Sequence, residues 1–176
     1  MISSSPPPPS VDRLIVPLDF SECAQEAFEY AAALAKQLGA KIRLVYAMEA
    51  AAYPLDFALF DVSEEAALHG RIRARLQELV AVLNADGIVA ESVCEAGTPL
   101  DVIMRQAKDH SDGGAIVMGT HGRRGFNLLA LGSVAEYVVR HAACPVFTVK
   151  SPKYRHRIKS EVRDAIAINL FLSRFG

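Results

Sequence analysis

Short apolar runs alternate with amphipathic stretches along most of this chain, and that alternation leaves few folds open. The runs are "RLIVPLD" (13–19), "KIRLVYAME" (41–49), "IVAESVCEAG" (88–97), "GGAIVM" (113–118) and "CPVFTVK" (144–150). All are short, rich in apolar residues and bounded by turn residues, which reads as strand. From Ser21 onward, apolar residues recur at Ala24, Ala27, Phe28, Ala31, Ala35 and Leu38, at helical spacing, between a serine cap and Gly39. A longer helical pattern puts Leu68, Ile72, Leu76, Leu79, Val80 and Leu83 on one face. Asp61 and Glu64 have the spacing of a capping pair at its start, and "ADG" ends it. "TPLDVIMRQAKDH" (98–110) offers Thr98 as cap, Pro99 at the first helical position and Asp101 three after the cap. "SVAEYVVRHA" (133–142) is a short helix in which Ser133 and Glu136 are spaced as a capping box. "AAYPLDFALF" (51–60) is an apolar connection broken by Pro54, with no clear period.

Strand and helix thus alternate until a last strand closes the series, which predicts a single α/β domain over residues 11–150. Such a pattern folds as a parallel sheet with helices on both faces and right-handed crossovers. In these sheets ligands bind beyond the carboxyl ends of the strands, where the strand order reverses. The commonest five-strand order, 3-2-1-4-5, puts the first and fourth strands at that switch point. Asp19 and Gly119 then face each other across one crevice.

Composition agrees with one globular domain: 176 residues, 51% hydrophobic, much of it alanine. A net charge of -1 gives nothing in the bulk to attract nucleic acid. Cys23, Cys94 and Cys144 have no metal-ligand spacing, and an odd count suits a reducing cytosol. No apolar stretch is long enough to span a bilayer. "MISSSPPPPS" (1–10) is expected to be a disordered tail and lacks the basic and apolar regions of a signal peptide. The expectation is a soluble cytoplasmic domain. Beyond it, residues 151–176 run from basic "YRHRIKSEVRD" to apolar "AIAINLFLSRF", with Ala165, Ile168, Leu172 and Phe175 in a helical stripe. A partly helical extension that packs on the domain or on a second copy fits better than membrane-surface binding, because the basic residues precede the apolar ones instead of flanking them.

"GTHGRRGFNLLALGS" (119–133) carries glycine at positions 119, 122, 125 and 132. Gly119 ends a strand, where a missing side chain would let a ligand lie against the backbone. Gly122 and Gly125 serve turns or further close approach. Gly132-Ser133 opens a helix whose unpaired N–H groups and partial positive charge suit phosphate. Spacing alone leaves two readings open, a phosphate site or a set of turns before a capped helix. The stretch is not a Walker A loop, since no Gly-Lys-Ser/Thr follows, nor a Rossmann fingerprint, which belongs to the first strand.

"VPLDFSE" (16–22), the "GTP" before the third helix and "MGTHGRRGFNLLALGSVAEYVVRHAACPVFTV" (118–149) resemble the universal stress protein family. Gly119, two residues, Gly122, nine residues and Gly132-Ser133 match the ATP-binding motif of that family's nucleotide-binding branch. The resemblance covers residues 12–150. It implies an adenine-nucleotide alpha hydrolase-like α/β sandwich that binds ATP and pairs with a second copy through its last strand, here residues 145–150. Carried over, Pro17 and Asp19 end the first strand, with Asp19 near ribose or adenine, and Ala47 offers backbone hydrogen bonds to adenine. Met118 and Gly119 lie beside the ribose, and Gly122 beside the phosphates. Gly132, Ser133 and Val134 receive phosphate oxygens, and Arg124, or Arg123, touches phosphate. Leu18 stands where the family often has threonine.

Other chemistry is less well supported by the residues. Asp19 as general base or metal ligand competes with a helix cap or ribose contact. His69, His110, His141 and His156 have no ligand spacing. His121 is a poor candidate for a catalyst, and Cys23 reads as a small buried residue. No set of base, water-positioning residue and metal-holding carboxylate is evident, so hydrolysis is expected to be slow or absent. Mg2+ would arrive on the nucleotide phosphates. The expectation is an ATP-binding regulatory module with an unnamed protein client. The rivals are an ATP hydrolase or nucleotidyl transferase on a similar sheet, and an interaction module with an empty pocket.

Overall fold

Ile15 and Val16 are neighbours that point to opposite sides of their strand, yet both are fully buried, at 0% exposure. Only a sheet covered on both faces buries consecutive side chains in this way. The computed structural model describes residues 11–49, 62–110, 112–121 and 131–150. In chain order the elements are β1 (Arg13–Pro17), α1 (Glu22–Leu38), β2 (Lys41–Met48), α2 (Val62–Ala85), β3 (Ala90–Ala96), α3 (Pro99–Asp109), β4 (Gly114–Gly119), α4 (Ser133–His141) and β5 (Val146–Val149). All paired strands run parallel. Their order is β3-β2-β1-β4-β5, as expected, so the direction of winding reverses between β1 and β4. The tail 1–10, the connection 51–60 and the extension 151–176 lie outside the described residues.

Two cores follow from the two faces. Leu14, Val16, Leu44 and Val117 pack with Ala27, Phe28 and Ala31 of α1 and with Leu76, Leu79 and Leu83 of α2. On the other face, Ile15, Val45, Ile116 and Met118 pack with Val102 and Ile103 of α3 and Ala135 and Val138 of α4. Alanines dominate the buried side of α1, which lets that helix lie close to the strands. Its ends are those the residues predict. The Ser21 hydroxyl accepts from the Ala24 N–H at 3.2 Å, and Gly39 takes a left-handed conformation with φ 66°. In α3 the Thr98 hydroxyl accepts from the Asp101 N–H at 3.2 Å and donates to the Asp101 carboxylate at 2.7 Å.

The long helix departs from expectation at one end. Leu76, Leu79, Val80 and Leu83 are buried, but Leu68 is 47% exposed. Length accounts for this: α2 has 24 residues, about 36 Å at 1.5 Å per residue. β2 beside it has 8, about 26 Å. The helix is longer than the strand beside it by about 10 Å, so part of its length has no strand to cover, and Leu68 lies near the exposed end. Asp61, the expected cap, lies outside the described residues.

At the amino end of the sheet, Arg13 Nη1 is 2.7 Å from His110 Nδ1. Guanidinium only donates, so this imidazole nitrogen accepts and the ring is neutral. Burial, helped by Arg43 and Arg13 and opposed by Asp109 and Glu91, pushes His110 below its ordinary 6.5 and keeps it so. This latch ties the last turn of α3 to β1 and leaves the opposite, carboxyl end of the sheet to the crevice.

Candidate functional site

The crevice begins where β1 and β4 stop pairing. Their register runs from Arg13↔Gly114 to Ile15↔Ile116, although β1 continues to Pro17 and β4 to Gly119. Backbone groups alternate in direction along a strand. The Arg13 N–H donates to Gly113 O, on the β4 side, so Ile15 and Pro17 address that side too. Proline has no N–H to give. Pro17 therefore ends the β1–β4 ladder, while the Leu18 N–H still donates to Val45 O of β2 at 2.8 Å.

The same alternation settles what the flanking strands turn toward the gap. Ile116 and Thr120 donate to Pro145 O and Val149 O on the β5 side. Gly119, in the other set, directs its N–H and C=O toward the crevice. On β2, Val45 O accepts from β1, and Met48 O accepts from the Gly97 N–H beyond β3. Ala47 belongs with Val45, so its backbone groups are directed to the side that β1 leaves as it turns into α1. Ala47 and Val134 are half-buried against the same core cluster that contains Met118. The fold thus puts Ala47, Met118 and Val134 on the α3–α4 side of the sheet, with Pro17 and Gly119 ending the two strands that part.

Asp19 follows β1, and its Oδ1 accepts from the Ser21 N–H at 3.0 Å, so one carboxylate oxygen helps start α1. The threonine-for-leucine question at position 18 does not bear on the crevice. Leu18 is 5% exposed and its side chain sits in the α1-side core, away from the gap.

Gly119, expected to be bare so that a ligand can lie against its backbone, has a packing reason to be bare as well. A Cβ there would lie 2.8 Å from the carbonyl carbon, carbonyl oxygen and Cβ of Cys23, so the side-chain-free position admits the first turn of α1. Ser133 was expected to cap its helix with Glu136. Gly132 is the N-cap instead, with no side-chain cap hydrogen bond, and Ser133 is the first helical residue. The Glu136 N–H bonds to Gly132 O, and its carboxylate pairs with Arg140 at 3.0 Å. The helix begins one residue earlier than the capping box requires, leaving its opening N–H groups without a capping side chain.

Gly132 also docks this helix start on the strand end. Its N–H donates to Thr120 O at 2.8 Å, and a Cβ on it would lie 3.0 Å from that oxygen. Its φ of -62° suits any residue, so close approach is what requires glycine here. Thr120 is buried, and its Oγ1 lies 3.0 Å from His121 Nδ1. Gly122 and Arg124 lie outside the described residues. Two residues given no role in the sequence reading, Phe20 and Tyr46, meet on the α1 side of the sheet with tilted rings, centroids 5.4 Å apart.

Fold and crevice together define a doubly wound α/β protein whose open end lies at the switch point of its sheet. The sequence model of the universal stress protein family matches residues 10–150, and the chain belongs to that family. It is 30% identical over 145 residues to a universal stress protein of Methanocaldococcus jannaschii, covering 80% of this chain and 83% of that one. A universal stress protein solved in complex with cAMP shares the fold at a TM-score of 0.60 and 24% identity, covering 81% of this chain and 99% of that one. A family protein of Arabidopsis thaliana solved with AMP bound does so at a TM-score of 0.54 and 21% identity, covering 86% and 99%.

Proposed function

We propose that this chain binds an adenine nucleotide, ATP by preference, in the β1/β4 crevice, and acts in stress response as a nucleotide-dependent binding module. The observation that carries the reading is the start of α4. The chain caps α1 with Ser21 and α3 with Thr98, but leaves α4 without a side-chain cap beside the open crevice. Unpaired N–H groups at a helix start, with the partial positive charge there, are suited to phosphate oxygens. Ser133 and Val134 would receive them on their N–H groups, with Gly132, whose own N–H is held by Thr120 O, setting their place beside the phosphate, and Gly122 and Arg124 completing the phosphate path. Ala47 would offer its N–H and C=O to the edge of adenine, and Asp19 its carboxylate to the ribose. Met118, Gly119 and Pro17 would form the walls. That family members have been solved with cAMP and AMP supports adenosine with at least one phosphate as the shared ligand chemistry.

Binding comes first in this reading, and hydrolysis is slow or absent. Among the described residues no group of three His, Cys, Asp or Glu could hold a metal ion. Mg2+ would travel with the triphosphate, held by its oxygens. A nucleotide acts on a partner only if it binds two states of the protein unequally, which is the role proposed for ATP here. The location proposed is the cytoplasm; among the described residues no helix is long and apolar enough to cross a membrane.

Calorimetric titration of the purified chain with ATP and with AMP tests the site. Micromolar binding, about -8 kcal/mol, is expected for ATP. A folded, nucleotide-free chain that binds neither would overturn the reading.

We also propose a homodimer formed by antiparallel pairing of β5, through residues 145–150. Support comes from its position at the sheet edge and from Phe147, 38% exposed there. Bare edges invite pairing. Light scattering should give twice the chain mass, with or without residues 151–176. Twice the mass only after their removal would mean that the extension covers the edge.

A further inference from the structure

Among the described residues Phe20 is the one non-glycine with a left-handed backbone, at φ 60°. The other described positions of positive φ are glycines, Gly39, Gly87, Gly97 and Gly113. A bulky residue in this region is an outlier, and such strain persists only where the surroundings hold it. Glycine would adopt the same turn without steric cost, so the turn alone gives no reason for a phenylalanine. The ring has a contact of its own: it lies 5.4 Å from the Tyr46 ring, centroid to centroid, inclined by 32°. Tyr46 is buried in the α1-side core, so its ring is a fixed point.

The positions of the two rings in the chain give the contact its meaning. Asp19 precedes Phe20, and its carboxylate is held on the Ser21 N–H at 3.0 Å. Ala47 follows Tyr46, and its backbone groups face the side that β1 vacates. Between them the β1–β2 register ends at Pro17↔Val45, closed by the Leu18 N–H donating to Val45 O at 2.8 Å. The ring pair is a second tie between the two chain segments, placed after the ladder has ended. We infer that Phe20 is a positioning residue: its ring, seated on Tyr46, fixes the spacing between the Asp19 carboxylate and the Ala47 backbone, the groups that would meet ribose and base. This inference rests on the adenine-nucleotide reading above. Phe20 need not touch the ligand, since it acts through the two groups it spaces.

The test is calorimetry with AMP on the full chain and on three variants, with thermal midpoints measured alongside. Phe20→Gly keeps the turn and removes the ring. It is expected to lose affinity about tenfold, the scale of one weakened hydrogen bond to a charged group. Its midpoint should stay within a few degrees of native, because relief of the left-handed phenylalanine offsets the lost ring contact. Phe20→Tyr keeps the ring and should restore native affinity, which a turn that merely needed a flexible residue would not require. Phe20→Asn, whose short side chain tolerates the same backbone, gives the answer should the glycine variant fail to fold. Native affinity in the ringless variants overturns the inference and leaves the nucleotide site standing. Affinity and midpoint falling together in them overturns it too, since the ring would then be serving stability in general. A native chain that binds neither AMP nor ATP overturns the nucleotide reading, and this inference with it.

Discussion

Gly119→Val is expected to destabilise the fold by about 3 kcal/mol, at the upper end of the usual cost of overpacking. For a domain of this size that is about 10 °C in thermal midpoint. The added Cβ would lie 2.8 Å from three atoms of Cys23, two of them backbone. A flexible side chain could swing aside, but here the first turn of α1 must move or the end of β4 must bend. Neither moves easily. α1 is fixed at this end by the Ser21 cap and by Asp19, and Gly119 is paired with Val149. Valine adds two methyl groups to that overlap. Differential scanning calorimetry of Gly119→Ala and Gly119→Val should show a graded loss. An alanine variant that melts with the native chain would mean that α1 is not seated on this residue.

Gly132→Val should act on the ligand more than on the fold. Its backbone angles suit valine, so the cost lies in the contact with Thr120 O, 3.0 Å from the Cβ position. That carbonyl also accepts the Gly132 N–H at 2.8 Å, and relieving the contact pulls the two apart. The start of α4 then shifts from the end of β4 by a few tenths of an ångström or more. Donors held for phosphate lose their aim at such displacements. ATP affinity is expected to fall at least tenfold, about 1.4 kcal/mol, with a smaller change in midpoint. Titration with ATP reads this directly. Native affinity in a folded Gly132→Val would remove the α4 N-terminus from the phosphate site.

The architecture was legible because periodicity changes at each boundary. Runs such as "GAIVM" cannot serve as amphipathic helices, and the cap residues Ser21, Thr98 and Gly39 mark starts and stops that local chemistry settles. What could not be read depended on distance in space. The overrun of α2 is a comparison of helix length with sheet height, and no single segment contains both. Gly119 reads as a side-chain-free position in any setting, but that a helix also needs the room is decided by α1, almost a hundred residues away in the chain. The Ser133–Glu136 spacing fits a capping box and equally a helix that starts one residue earlier, and the docking of Gly132 on Thr120 selects the latter. Phe20 carried no signal at all, since nothing in "LDFSE" announces a left-handed aromatic residue.

The groups that β2 and β4 turn toward the crevice are main-chain N–H and C=O groups, which nearly every residue type carries alike. A surface made of them cannot be erased by changing what hangs from it. Exchange of Ala47 for another small apolar residue would alter the shape of the wall and leave its donor and acceptor in place. What such a surface does not tolerate is an insertion, which would invert the alternation and turn those groups to the opposite neighbour. The vocabulary of the crevice is therefore one of phase. Its character is held in the parity of positions 17, 47 and 119 along their strands, and a chain that keeps that parity can drift widely in side-chain identity while presenting the same edge.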